Sequence, residues 1–182
     1  GEITLLGNEG RAPYDRPPLS KAVLLGQKTV EQCALFDDAF YRNNRIDLRV
    51  DAPVSGIDRA ARKVVLGDGR TVSYRRLLIA TGAEPRRLCV PGAALAGVHL
   101  LRAVPDALSI VGELSPGRRI AVVGAGFIGL EVAATAIARG CEVVVIEAAA
   151  RALMRAVPEI VAGYLVERHR QELVAGIPQR YR

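Results

Sequence analysis

Cysteine is scarce and badly spaced for chemistry. Cys33, Cys89 and Cys141 stand far apart in the 182 residues, so no CxxC-type pair exists to hold a metal or to form a local redox disulfide. Cys33 follows Glu31-Gln32 with no basic neighbour, which argues against a peroxide-type nucleophile, and Cys141 is expected as a small buried residue at the start of a strand. No apolar run is long enough to cross a bilayer. Lysine is almost missing. Lys21, Lys28 and Lys63 are the three, and the 25 basic residues, against 19 acidic, are mostly arginines scattered along the whole chain. Scatter is not the concentrated stripe that nucleic-acid binding uses, so neither a nucleic-acid nor a membrane partner is expected. A net charge of +6 can still steer an acidic protein partner. No repeat of 20 to 50 residues is found, no signal peptide opens the chain, and no initiator Met precedes Gly1. Cytoplasmic residence and a start inside a longer protein are therefore the expectations.

What is present is concentrated between Arg119 and Glu147. An apolar run, Ile120 to Val123, leads into Gly124-Ala125-Gly126-Phe127-Ile128-Gly129, then an alanine-rich helical stretch, a second apolar run, Val143 to Ile146, and Glu147. Strand, glycine turn, helix, strand and acid at these spacings describe a dinucleotide-binding βαβ unit. Gly124 is expected to permit the tight turn, Gly126 to let backbone approach a pyrophosphate, and Gly129 to bring the helix onto the sheet. The first helical N–H groups and the helix dipole then face the phosphates. Glu147, 18 residues past Gly129, is placed to accept both ribose hydroxyls of an adenosine and to repel a 2′-phosphate. NADH is expected over NADPH.

Upstream, Ile3 to Leu6 predicts a short strand, followed by a proline-rich loop through Pro13 and Pro17-Pro18 that stiffens the chain around Arg16 and Lys21. Phe36 to Asn43 predicts a short helix, and Ile46 to Val50 and Val54 to Ile57 predict strands. Lys63 to Leu66 and Thr71 to Tyr74, separated by Gly67-Asp68-Gly69, predict a hairpin. Leu77-Leu78-Ile79 predicts a central parallel strand running into Ala80-Thr81-Gly82. Val104 to Leu114 predicts a helix, as does the stretch from about Pro158 to Val174, with Gly176 to Arg182 basic and unpatterned. The fold class is α/β: two partial Rossmann-like βαβ domains with parallel sheets, residues 1–103 and 104–182, plus a small antiparallel hairpin or meander.

Three blocks carry a family resemblance. Pro13-Tyr14-Asp15-Arg16-Pro17-Pro18-Leu19-Ser20-Lys21, the run Leu77 to Arg86 with Gly97 to Arg102 downstream, and the fingerprint Val122 to Glu131 together resemble the FAD-dependent pyridine-nucleotide oxidoreductases. Within them the likeness is to the ferredoxin reductases that serve bacterial oxygenases. The resemblance implies FAD in the first domain, NADH in the second, hydride transfer from nicotinamide to flavin, and release of single electrons to a [2Fe–2S] ferredoxin. It implies Asn8 at the FAD adenosine ribose, where the family usually has an acid, and Val54 at the adenine. It sets Arg16 and Lys21 near the flavin and pyrophosphate, Ala80, Thr81 and Gly82 at the middle of the cofactor, and Arg102 at its pyrophosphate. Gly124, Gly126, Phe127, Ile128, Gly129 and Glu147 fall to NADH.

It further implies that Lys21 and Glu131 pair across the two domains beside the nicotinamide site as the catalytic charges, where burying either charge alone would be costly. The bland alternative for Glu131 is a solvated acid in the first helical turn. No metal site is expected, and the full-length protein is expected to be a monomer. The family's opening strand, first glycine fingerprint and closing segment are not in this sequence, so an internal fragment with exposed apolar surface and weak FAD binding of its own is expected. Other acceptors, such as rubredoxin, a nitrite reductase partner or oxygen, and a non-catalytic nucleotide-binding fragment remain open on sequence alone.

Overall fold

The computed structural model describes residues 2–173, so the basic stretch from Gly176 to Arg182 lies outside the described residues. The chain divides into two compact units, Gly1–Asp15 with Glu31–Glu84 and Arg16–Val30 with Pro85–Arg182. Each is built from a parallel strand pair and its own helices.

In the first unit β1 (Ile3–Leu6) runs parallel to β2 (Ile46–Arg49), with Ile3 opposite Ile46. Helix α1 (Asp38–Asn43) delivers the chain to β2. It starts where Asp37 accepts a hydrogen bond from the Phe40 amide, and it is backed by Phe36 stacked on Phe40. Beside it β3 (Val54–Asp58), β4 (Lys63–Leu66) and β5 (Thr71–Ser73) form an antiparallel meander. Alternation along β4 turns Val64 and Leu66 into a small core with Ala52, against which Leu6, Val72 and Tyr74 pack.

In the second unit β6 (Arg119–Val123) and β7 (Glu142–Ile146) pair in parallel, and helix α3 (Phe127–Ala138) makes the crossover. Ala133 and Ala136 are wholly buried, and such small side chains let α3 lie close to the strands. Cys141 is buried as expected. Helix α2 (Val104–Glu113) begins where the Asp106 carboxylate accepts the amides of Arg102 and Ala103, both at 2.8 Å. Helix α4 (Glu159–Leu173) contributes Ala162, with Leu165 and Val166, to a core made by Ala125, Leu130, Ala152 and Leu153. The segment 16–30, which includes a 3-10 turn Pro17–Ser20, packs here through Leu19, Val23 and Leu24.

One expected element is missing. Leu77-Leu78-Ile79 is not a strand: the chain there is irregular, and Leu78 is 86% exposed. An apolar run becomes a strand only when a neighbour takes up its N–H and C=O groups, and among the described residues none runs beside it. Apolar exposure continues at Val123, Phe127, Ile128 and Ile146 around one end of the β6–β7 pair. The expectation of uncovered apolar surface agrees with this.

Candidate dinucleotide site and its lysine–glutamate pair

The turn between β6 and α3 is held by its backbone. Gly124 donates to Ile146 O at 2.7 Å, which extends the parallel ladder by one residue, and then turns with φ +104. An L side chain rarely tolerates that angle. Gly126 is the N-cap of α3, and no side chain caps the helix. A Cβ built on Gly126 would meet nothing within 4 Å, so the space above the helix tip is open. Gly129 differs sharply: a Cβ there would drive into the carbonyl oxygen of Gly124 and reach Val122 Cγ1 at 3.4 Å. Phe127 and Ile128, both exposed, flank the tip. An uncapped helix start with open space over it suits a phosphate group.

Glu147 follows β7 and turns back toward this loop. One carboxylate oxygen accepts the Ala125 amide at 2.8 Å and the other the Ala149 amide at 2.8 Å. These bonds, Ala149 first and then Ala125, favour the charged form and hold the carboxyl below the usual glutamate range. The acid thus braces the glycine turn from the sheet side. Because the folded value is depressed, the stabilisation is complete above the ordinary glutamate pKa of about 4.3 and is lost as pH falls through the folded value. Glu147→Gln is expected to cost about 1 kcal/mol near neutrality and to equal the parent in strong acid. Denaturant unfolding at both pH values checks it, and equal stability near neutrality would remove the bracing role.

Lys21 and Glu131 meet in the second unit, with Nζ 3.0 Å from Oε1. Glu131 is the fifth residue of α3 and lies beyond its first turn, where the helix dipole acts most strongly, so the dipole does not explain it. Burial does not hold the pair, contrary to expectation. Lys21 is 50% exposed and Glu131 28%, and an exposed pair of this kind adds little stability, ~1 kcal/mol at most. Orientation is its main consequence. Glu131 also accepts the hydroxyl of Ser20.

Arg16 donates through Nη1 to Arg102 O at 2.8 Å, tying the proline-rich segment to the entry of α2. The remaining predicted residues lie in the first unit. Asn8 is exposed in the bend after β1, Val54 opens β3 half exposed, and Ala80, Thr81 and Gly82 lie in the exposed irregular run, Gly82 with φ +72. No hydrogen bond brings these five together.

Three side chains that the sequence did not single out anchor the 16–30 segment. Ser20 reaches Glu131, Thr135 on α3 donates to Ser20 O at 3.0 Å, and Arg139 donates to Leu114 O and to Leu24 O. The available signal was faint: Glu131 and Thr135 stand four apart, on one face of a helix. Among the described residues no cluster of His, Cys, Asp and Glu could hold a metal ion, and no helix is long and apolar enough to cross a membrane.

Comparison with known proteins matches residues 1–179 to the model of the pyridine nucleotide-disulphide oxidoreductases. A protein of Castellaniella defragrans named as a probable ferredoxin reductase is 44% identical over 93% of this chain and 41% of its own length. The ferredoxin–NAD(+) reductase component of a Pseudomonas putida p-cumate 2,3-dioxygenase system is 42% identical over 100% of this chain and 44% of its own. Among solved structures, the ferredoxin reductase for the CYP199A2 system of Rhodopseudomonas palustris superposes with a TM-score of 0.92 at 38% identity, covering 100% of this chain and 44% of that one. The chain therefore spans about two fifths of the length of the relatives it matches.

Proposed function

The chain belongs to the pyridine nucleotide-disulphide oxidoreductase family, and on that premise we propose that it is part of an NADH-dependent, FAD-containing ferredoxin reductase. Electrons pass from NADH through the flavin to a [2Fe–2S] ferredoxin of an oxygenase system. Similarity at 42–44% identity to reductases named for ferredoxin supports this choice of acceptor, and the net charge of +6 suits an acidic partner. In this reading residues 1–103 contribute the FAD side and 104–182 the NADH side, the whole protein is a cytoplasmic monomer, and it binds neither nucleic acid nor membrane.

The observation that carries the reading is the open tip of α3 with Glu147 beside it and the Lys21–Glu131 pair in the same unit. When bound, the nicotinamide supplies a hydride to the flavin, which releases electrons singly. The chain's own residues bind and orient. Gly126 leaves room for a pyrophosphate against the amides of Phe127 and Ile128, and Gly124 and Gly129 shape the turn. Glu147 offers its carboxylate to ribose hydroxyls and turns away a 2′-phosphate. On the FAD side Asn8 takes an adenosine hydroxyl and Val54 lines the adenine, while Ala80, Thr81 and Gly82 follow the middle of the cofactor. Arg16 and Arg102 supply positive charge to its phosphates. Lys21, steadied by Glu131, presents a cation near the flavin, where it favours negative charge on the reduced ring.

The test uses the whole reductase. Lys21→Ala is expected to slow flavin bleaching by saturating NADH about tenfold, with NADH affinity nearly unchanged, because it removes a charge acting after binding. Stopped-flow rates equal to the parent's would take Lys21 out of the site, and a parent flavin that NADH does not bleach would end the reading altogether.

A further inference from the structure

We propose that Ser20 is a positioning residue that aims Lys21 by holding the Glu131 carboxylate in one orientation. The inference rests on the reading of Lys21 as the cation beside the flavin. Glu131 divides its two oxygens: Oε1 faces Lys21 Nζ at 3.0 Å, and Oε2 accepts the Ser20 hydroxyl at 2.5 Å. A hydroxyl has one proton to give. Pro17 O, at 3.3 Å, is the weaker alternative acceptor, so the carboxylate takes it.

Ser20 is itself immobilised. It is 5% exposed at the end of the 3-10 turn Pro17–Ser20, where two prolines fix the backbone, the Leu19 amide donates to Arg16 O and the Lys21 amide to Pro18 O. Its carbonyl accepts the buried Thr135 hydroxyl at 3.0 Å. Glu131 and Thr135 stand one turn apart on α3, so one helix face grips the same serine twice, by its hydroxyl and by its carbonyl.

The consequence concerns the lysine. A half-exposed ammonium on a four-carbon stem samples many rotamers, and a carboxylate that can itself rotate restrains it poorly. A charge-assisted bond on the second oxygen removes that rotation. Ser20 thus acts on the reaction through Glu131 and Lys21.

Amine acetylation followed by peptide mass spectrometry reads the lysine directly, with Lys28 and Lys63 as internal standards in the same chain. Ser20→Ala in the full-length protein is expected to raise acetylation of Lys21 relative to the two standards by roughly fivefold, and Ser20→Thr, which keeps the hydroxyl, is expected to return it toward the parent. Relative labelling of Lys21 unchanged in Ser20→Ala would overturn the proposal, as would Thr behaving like Ala while the melting temperature stays at the parent's. In the holoprotein, flavin reduction by saturating NADH is expected to fall roughly fivefold in Ser20→Ala with little change in NADH affinity. If labelling changes but the parent flavin takes no hydride from NADH, the positioning role stands and the reductase reading falls.

Discussion

Glu147→Arg in the whole reductase is expected to reverse the cofactor preference from NADH to NADPH. The parent carboxylate lies beside the glycine turn, held by the amides of Ala125 and Ala149, and in the proposed reading it offers acceptors to ribose hydroxyls and a negative charge that repels a 2′-phosphate. Arginine removes the repulsion and supplies a planar fork of donors that fits a phosphate. Each half of the exchange is a charge-assisted interaction of about 1.5–3 kcal/mol, so the ratio of kcat/KM values for the two cofactors should move by at least about a hundredfold. Catalysis with either cofactor should also weaken, because the amides of Ala125 and Ala149 lose the acceptor that braces the turn. Steady-state kinetics with NADH and NADPH decide it. A fall in both values at a constant ratio would mean that Glu147 serves the loop alone.

This double use of Glu147 also marks how far the sequence could be read. The β6–α3–β7 unit was legible because strand, turn, helix and strand follow one another without a break, and Gly124 and Gly129 each had a local reason to be glycine. Leu77-Leu78-Ile79 was misread for the opposite reason. Its composition is that of a buried strand, but a strand is a property of a pair, and among the described residues none runs beside the irregular, exposed chain seen there. The hairpin of β4 and β5 was readable because Gly69, with φ +84, and the Asp68–Arg70 pairing make its turn locally. Ser20, Thr135 and Arg139 could not be found this way, since Ser20 meets Glu131 and Thr135 across more than a hundred residues. The Lys21–Glu131 contact was anticipated through family resemblance, and nothing in the composition or periodicity of either segment announces it.

Two alanine substitutions three residues apart should separate architecture from binding. At Gly129 a Cβ would strike the Gly124 carbonyl oxygen, which is backbone in a turn already fixed by the bond from Gly124 N to Ile146 O, so neither side can yield cheaply. Gly129→Ala is expected to destabilise by about 3 kcal/mol or more and to lower the melting temperature by several degrees or prevent folding. At Gly126 the backbone has φ −79 and ψ −179, which alanine adopts freely, and its Cβ would enter open space. As an N-cap, alanine costs no more than about 1 kcal/mol relative to glycine. Gly126→Ala should therefore fold and melt close to the parent. In the proposed reading a pyrophosphate comes through that open space to within hydrogen-bond reach of the α3 amides, and a methyl group there would hold it off. NADH affinity is expected to fall at least about tenfold, the loss of one charge-assisted contact. Circular dichroism melts and fluorescence titration with NADH on both variants test the pair together. A Gly126→Ala protein that binds NADH as tightly as the parent would show that the phosphates lie elsewhere, since no defect of folding could then hide the contact.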